Sequence, residues 1–394
     1  MAPDRPPLVV GVPRETFPDE RRVAVVPAMA KALQKAGLEV VMESGAGHPA
    51  GFRDVQYEQQ NVRIASSREE VFESADILLF VRAGGANPDA GKADVARLRD
   101  GQIVIGMCDP LSDAESIKEM AERGAMVFAL ELLPRITRAQ SMDVLSSMAT
   151  VAGYKAVLIA ADALPRMFPM LMTAAGTLAP AKVFIVGAGV AGLQAIATAK
   201  RLGAVVRAYD VRPAVKEQVE SLGGKFVEFE LETNKAETKG GYAKAMDEEF
   251  YVKQREMMTK VVSESDVVIT TAAVPGKKAP ILVTKSMVHG MAPGSVIVDL
   301  AAERGGNCEL TKLNQTVVER DVKILGPGNL PSTIPYHASE MYSKNLVTFL
   351  THLVNTGMGS ERKLPDEIED EILKDTLVTR GGEILNPNVH QLLG

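Results

Sequence analysis

Lys182-Val183-Phe184-Ile185-Val186-Gly187-Ala188-Gly189-Val190-Ala191-Gly192 joins a short apolar strand to a glycine-spaced turn, after which Leu193, Ile196 and Ala197 share one face of a helix. Strand, G-x-G-x-x-G turn and helix in this order open a doubly wound α/β unit that binds a dinucleotide. Gly187 permits the tight turn, Gly189 lets a pyrophosphate approach the backbone, and Gly192 lets helix pack closely on strand. Val190 begins the helix whose amides face the phosphates. Asp210 ends the next apolar run, near the spacing of about 20 residues at which an acid accepts from the ribose hydroxyls. Its charge clashes with a 2′-phosphate, so NAD is favoured over NADP, although Arg207 and Arg212 stand close enough in sequence to receive such a phosphate.

Outward from this motif, short apolar runs alternate with amphipathic stretches, the pattern of parallel strands joined by crossover helices. Runs at 182–186, 205–209, 225–229, 266–271, 295–300 and 322–325 predict one sheet, and runs at 8–12, 38–42, 75–81, 102–108 and 125–130 a second. The expected fold is α/β, with two Rossmann-like doubly wound parallel-sheet domains and a cleft between them. The boundaries predicted are 1–137 with 332–394 for a discontinuous first domain and 138–331 for the dinucleotide domain. Residues 140–163 read as one proline-free helix carrying the chain across, and 336–354 as another. A length of 394 residues suits two or three domains.

With 44 basic and 50 acidic side chains, a net charge of −6 and no basic stripe, nucleic acid is not expected as a partner. Cys108 and Cys308 are too isolated for a disulfide framework or a zinc site, the five histidines form no ligand pattern, and no metal is expected. A reducing compartment fits. The uncharged stretch between Arg166 and Lys182 is too short to span a bilayer and contains Pro169 and Pro180, and the N-terminal residues lack an export signal. The glycine-rich turn Gly45 to Gly51 lacks the dinucleotide spacing and reads as a structural loop. The polar segment 232–250 is long for a connection inside an α/β sheet, and is either a lid or an insertion. Its Gly240-Gly241 pair and Tyr242 make a lid physically feasible.

The densest polar cluster is Arg135-Ile136-Thr137-Arg138-Ala139-Gln140-Ser141-Met142-Asp143-Val144-Leu145-Ser146-Ser147. Read as helix, it puts Gln140, Asp143 and Ser147 on one face with Ser146 at the margin, at the expected domain junction where ligands bind.

Together with Thr173 to Thr177, Gly187 to Gly203 and Gly240-Gly241-Tyr242-Ala243-Lys244, this cluster resembles the NAD(H)-binding component, domain I of the alpha subunit, of the proton-translocating nicotinamide nucleotide transhydrogenases. The resemblance runs from Val12-Pro13-Arg14-Glu15 to about Val354. It implies an oxidoreductase of the Re/Si-specific type that passes hydride between its own NAD(H) and an NADP(H) held by a partner subunit. It also implies a homodimer on the cytoplasmic side of a membrane, attached through membrane-spanning subunits that translocate protons. Carried over by motif, Arg135, Gln140, Asp143 and Ser146 are the nicotinamide-side residues. Gly187, Gly189, Val190, Gly192, Asp210, Val211 and Arg212 hold the pyrophosphate and adenosine. Tyr242 closes over the nucleotide with Gly241 and Gln254 nearby, and Ala272 and Ala273 run beside it. Hydride exchange between two nicotinamides needs no general base, which suits a chain without a cleft histidine. The nearest alternative, alanine dehydrogenase, resembles the chain in architecture and in Arg22-Val23-Ala24. Its substrate-binding lysine and catalytic histidine are replaced here by Arg82-Ala83-Gly84-Gly85 and Met107-Cys108-Asp109-Pro110. A protein that binds NAD without turnover would keep the glycine motif and dispense with the polar cluster and lid.

Overall fold

The strands run in chain order as β1 Val9–Val12, β2 Glu39–Glu43, β3 Arg63–Ala65, β4 Ile77–Arg82, β5 Ile103–Met107, β6 Met126–Ala129, β7 Leu171–Thr173, β8 Gly176–Leu178 and β9 Lys182–Val186. They continue as β10 Val205–Tyr209, β11 Lys225–Phe226, β12 Val267–Thr270, β13 Val296–Asp299, β14 Thr316–Glu319, β15 Val322–Leu325, β16 Leu377–Arg380 and β17 Glu383–Ile384. This computed structural model describes residues 6–229, 248–273, 277–358 and 363–393. Two units divide the chain: Met1–Met148 with Pro331–Gly394, and Ala149–Leu330.

In the first unit eight strands lie in the order β17-β16-β6-β5-β4-β1-β2-β3. The six from β1 to β6 are parallel, and the late strand β16 adds antiparallel to β6. Leu78, Val104 and Val127 are wholly buried with Val71 and Ile117 from flanking helices. Each such side chain contributes roughly 1.5–3 kcal/mol against the entropy of ordering the chain. The strand order reverses between β1 and β4, and the loop after β1 turns a carboxylate into that crevice. Glu15 accepts from the amides of Val81 (2.6 Å) and Arg82 (3.1 Å) where β4 ends. Nearby, Glu20 is gripped by the Arg22 fork at 2.8 and 2.6 Å, and its Oε2 lies 3.5 Å from Arg82 Nε.

Burial first, and the neighbouring Glu20 charge second, push the Glu15 carboxyl up to about 8, against the two amides that favour its anion. A carboxyl raised on folding stabilises most below its unfolded value of about 4.5, and that stabilisation is lost as pH climbs toward 8. The slope approaches about 1.4 kcal/mol per pH unit. Glu15→Gln should flatten this dependence in calorimetric unfolding between pH 5 and 8, with a constant loss for the Arg82 amide that the carboxamide cannot also accept. A variant retaining the wild-type slope would show that another group titrates.

In the second unit seven strands lie in the order β11-β10-β9-β12-β13-β15-β14, all parallel except β14. Apolar cores cover both faces: Val183, Ile185 and Ile269 on one, Phe184, Val268 and Ile297 on the other. Burial on both faces is why these strands read as unbroken apolar runs. The order reverses between β9 and β12, which places a crevice at their carboxyl ends. β7 and β8 form a separate two-stranded hairpin.

The helix Val144–Ala163 is long and apolar enough to cross a membrane by length and composition. Its apolarity has a local cause: Ala156, Val157 and Ala160 are fully buried in the core of the second unit.

Candidate nucleotide site

The turn after β9 is built as its glycines require. Gly187 holds φ +97°, and a side chain there would strike Thr271 Oγ1 at 2.6 Å. Gly192 sits so close to the turn that an added Cβ would meet the Gly187 carbonyl oxygen at 1.8 Å. At Gly189, which caps the helix Val190–Arg201, a Cβ would find only the tip of Arg212 at 3.9 Å. Two glycines thus weld strand to helix and the third leaves a hollow over the helix N-terminus, with Val190 exposed beside it. That hollow, amides and positive helix end together, fits a pyrophosphate.

Asp210 follows β10 and is buried, with both carboxylate oxygens engaged twice. Its Oδ1 accepts from the backbone N and Nε of Arg212, both at 2.9 Å, and its Oδ2 from Arg212 Nη2 at 2.9 Å and the Ala188 amide at 2.7 Å. The acid is thereby pinned to the glycine turn, and a ribose reaches it by displacing the Arg212 fork. The same pairing keeps Arg212 on the carboxylate, where a 2′-phosphate would meet negative charge. Arg207 pairs instead with Glu264 at 2.9 Å.

Beside Asp210, Val211 packs into the core face that holds Tyr209. The Tyr209 ring lies 4.7 Å from Phe229, and its hydroxyl accepts from Gln254 Nε2 at 3.2 Å. Burial pushes the Tyr209 phenol up to about 12, against the Gln254 hydrogen bond, so it stays neutral. Gln254 is 1% exposed and its Oε1 makes no hydrogen bond, leaving a buried acceptor one residue layer from Asp210. Ala272 and Ala273 leave β12 at the other side of the crevice, and Thr271 Oγ1 donates to the Gly187 carbonyl at 3.0 Å. Gly241 and Tyr242 lie outside the described residues.

The polar cluster of the first unit corrects the expected helix face. Thr137–Met142 is a 3-10 turn, Asp143 takes an extended conformation, and the α-helix begins only at Val144. The cause is capping: Asp143 accepts from the Ser146 amide at 2.9 Å and the Ser146 hydroxyl at 2.5 Å. Asp143 and Ser146 are therefore one unit, while Arg135 and Gln140 project from the exposed turn before it. Asn345, from the helix Pro335–His352, donates to the Ser141 carbonyl at 2.8 Å and anchors that turn.

Sequence reasoning passed over Ala188, Tyr209 and Phe229, whose roles come from contact with Asp210 and Gln254. It also passed over Glu131, whose Oε1 accepts from the Cys108 and Asp109 amides at 2.7 and 2.5 Å and whose carboxyl burial raises to about 7. A single carboxylate in a loop carries no spacing signal. Among the described residues no cluster of potential metal ligands occurs.

Two family models, the alanine dehydrogenase/PNT N-terminal domain over residues 11–152 and the corresponding C-terminal domain over 156–387, match nearly the whole chain. The chain belongs to the alanine dehydrogenase/PNT family. Within it, the chain is 46% identical over 381 residues to the first of the polypeptides that make up the NAD(P) transhydrogenase alpha subunit of Rhodospirillum rubrum, covering 96% of this chain and 98% of the relative. A transhydrogenase structure from Sinorhizobium meliloti superposes with a TM-score of 0.82 at 42% identity, over 96% of this chain and 99% of that one. An L-alanine dehydrogenase structure superposes with a TM-score of 0.79 at 25% identity, over 98% of this chain and 99% of that one. Fold is common to both branches of the family; sequence favours the transhydrogenase branch.

Proposed function

We propose that this chain is the NAD(H)-binding component of a proton-translocating NAD(P) transhydrogenase of the Re/Si-specific type. It holds NAD(H) and exchanges hydride with NADP(H) on a partner subunit, while separate membrane-spanning subunits carry protons and keep it peripheral on the cytoplasmic side. The observation that carries this reading is the 46% identity across 96% of the chain to a transhydrogenase alpha subunit, joined to an intact glycine turn with its buried acid. The nucleotide supplies or takes the hydride. The protein's part is to seat the pyrophosphate over Gly189 and the amides of Val190 and its neighbours, the adenosine by Asp210, Val211, Arg212 and Gln254, and the remainder by Ala272 and Ala273. Arg135, Gln140 and the Asp143–Ser146 pair orient the nicotinamide carboxamide and ribose, with Gly241 and Tyr242 closing over them.

No acid–base catalyst is required for such an exchange. After β4, Arg82 stacks its guanidinium over Phe17 at 4.2 Å, and after β5 the Cys108 and Asp109 amides are tied to Glu131. Neither arrangement suits deprotonation of an amino acid. A homodimer is supported by the β7–β8 hairpin, where Met172 is 77% and Leu178 48% exposed, more apolar surface than an isolated hairpin tolerates well.

The test is hydride transfer from NADH to an NADP analogue by this chain alone and with an NADP-binding subunit, alongside NAD reduction by L-alanine. Transfer only with the partner is expected; alanine-dependent reduction by the isolated chain would replace this reading with a dehydrogenase. Gln140→Asn should lower the transfer rate about tenfold or more while NADH affinity stays within about twofold, since a displaced amide misaligns the ring without weakening the phosphate contacts. Wild-type transfer by that variant would remove Gln140 from the site.

A further inference from the structure

Asp299 and Asn307 are both 0% exposed, and nothing in the glycine-turn chemistry requires them. Asp299 ends β13, and its carboxylate collects five donors. Oδ1 accepts from Thr270 Oγ1 and the Ala301 amide, each at 3.0 Å; Oδ2 accepts from the Asn307 amide at 2.7 Å, the Cys308 amide at 2.9 Å and Thr311 Oγ1 at 2.6 Å. The two amides can converge on one oxygen because Gly305 and Gly306 both take positive φ, +94° and +83°; at Gly306 a Cβ would meet Asp299 Oδ2 at 2.8 Å.

The turn so fixed presents the Asn307 side chain to the strand that leaves the crevice. Asn307 Oδ1 accepts from the Ala272 amide at 3.0 Å, and its Nδ2 donates to the Ala272 carbonyl at 2.8 Å and the Pro280 carbonyl at 2.9 Å. The carboxamide thus pairs with both sides of the Ala272 residue as a neighbouring strand would, just beyond the point where β12 ends. A buried carboxylate and amide cost free energy unless every hydrogen bond is made, and apolar side chains of similar volume would serve stability as well. What the polar pair adds is a fixed position for one peptide, and that peptide borders the crevice opposite Gly187.

We infer that Asn307, presented by Asp299, is a positioning residue for the nicotinamide half of the bound dinucleotide, acting through Ala272. The two halves of a doubly wound sheet each take one mononucleotide, the adenosine on the β9–β11 side and the other on the β12 side. The inference rests on NAD(H) being the ligand, and it divides the effects of a variant by half-site.

The experiment measures dissociation constants for NADH and for 5′-AMP on the full chain, with thermal unfolding in parallel. Asn307→Ser, which removes the amide pair, should weaken NADH about tenfold and leave 5′-AMP within about twofold. Thr311→Val removes a hydroxyl donor to Asp299 and should shift NADH about threefold in the same direction, again sparing 5′-AMP; it decides the matter if Asn307→Ser does not fold. Equal weakening of both ligands, or unchanged NADH binding in a folded variant, overturns the inference. Wild-type protein that binds NADH but never transfers hydride would instead overturn the transhydrogenase reading, while the NADH-to-AMP ratio could still be read.

Discussion

Gly153→Ala is expected to destabilise the second unit by about 3 kcal/mol or more, although alanine inside a helix ordinarily gains about 1 kcal/mol over glycine. The sign reverses because of what stands opposite. A Cβ on Gly153 would meet the Ala191 carbonyl oxygen at 2.1 Å, its carbonyl carbon at 2.9 Å and its Cα at 3.0 Å, all backbone of the helix that follows the nucleotide turn. None of these can swing aside as a side-chain end can. Gly192→Ala should be at least as damaging, since the atom struck, at 1.8 Å, is the carbonyl of Gly187 in the turn itself. For a unit of this size, the loss corresponds to a melting temperature lower by roughly 6–12 °C. Gly189→Ala is the counter-case: its Cβ meets nothing closer than 3.9 Å, so the fold should melt as wild type while NADH binding weakens about tenfold or more, because the methyl fills the hollow meant for phosphate. Calorimetry with NADH titration separates the three. A Gly153→Ala protein melting at or above wild type would mean that the two helices do not meet as described.

The same physics explains which parts of the structure could be read from the sequence. The parallel strands of both sheets were legible because each is buried on both faces and therefore nearly uniform in apolar residues, as in Ile77–Arg82 and Val267–Thr270. The edges were not. β14 alternates exposed and half-buried residues, β3 has three residues, and the β7–β8 hairpin is exposed along most of its length, so none carries a long apolar signature. The predicted strand at 225–229 also shortens to Lys225–Phe226, at the sheet edge. At the site, the glycine turn and Asp210 were legible because their spacing is itself the mechanism. The start of the helix at Val144 was misjudged because an Asp and a Ser three residues apart can share a helix face or form a cap, and periodicity alone does not choose between them. Asp299 and Asn307 were invisible for a different reason: their partners come from β12, and only the pairing of β12 with β13 brings Thr270 beside Asp299.

Asp210 carries the other large expected effect. Asp210→Asn should weaken NADH by about ten- to a hundredfold and at the same time strengthen NADPH, so that the preference between them changes by more than either constant alone. The carboxylate has two functions that one neutral amide cannot keep. It accepts from the Ala188 amide at 2.7 Å, holding the acid against the glycine turn, and it occupies the Arg212 fork through Nε and Nη2 at 2.9 Å. An asparagine retains one acceptor oxygen and must direct its NH2 group at another donor, either Ala188 or Arg212, so one of these contacts is lost. Loss of the negative charge also removes the repulsion that a 2′-phosphate would meet, and it frees a guanidinium whose planar fork matches phosphate geometry. The double variant Asp210→Asn/Arg212→Ala distinguishes these contributions. If Arg212 receives the phosphate, the double variant should lose the NADPH gain of the single one and bind both nucleotides weakly; its residual NADPH affinity should also depend less on salt. Should Asp210→Asn leave the ratio of NADH to NADPH affinity unchanged, discrimination would have to come from elsewhere in the nucleotide site, and the Asp210–Arg212 pair would be reduced to a structural clasp for the turn.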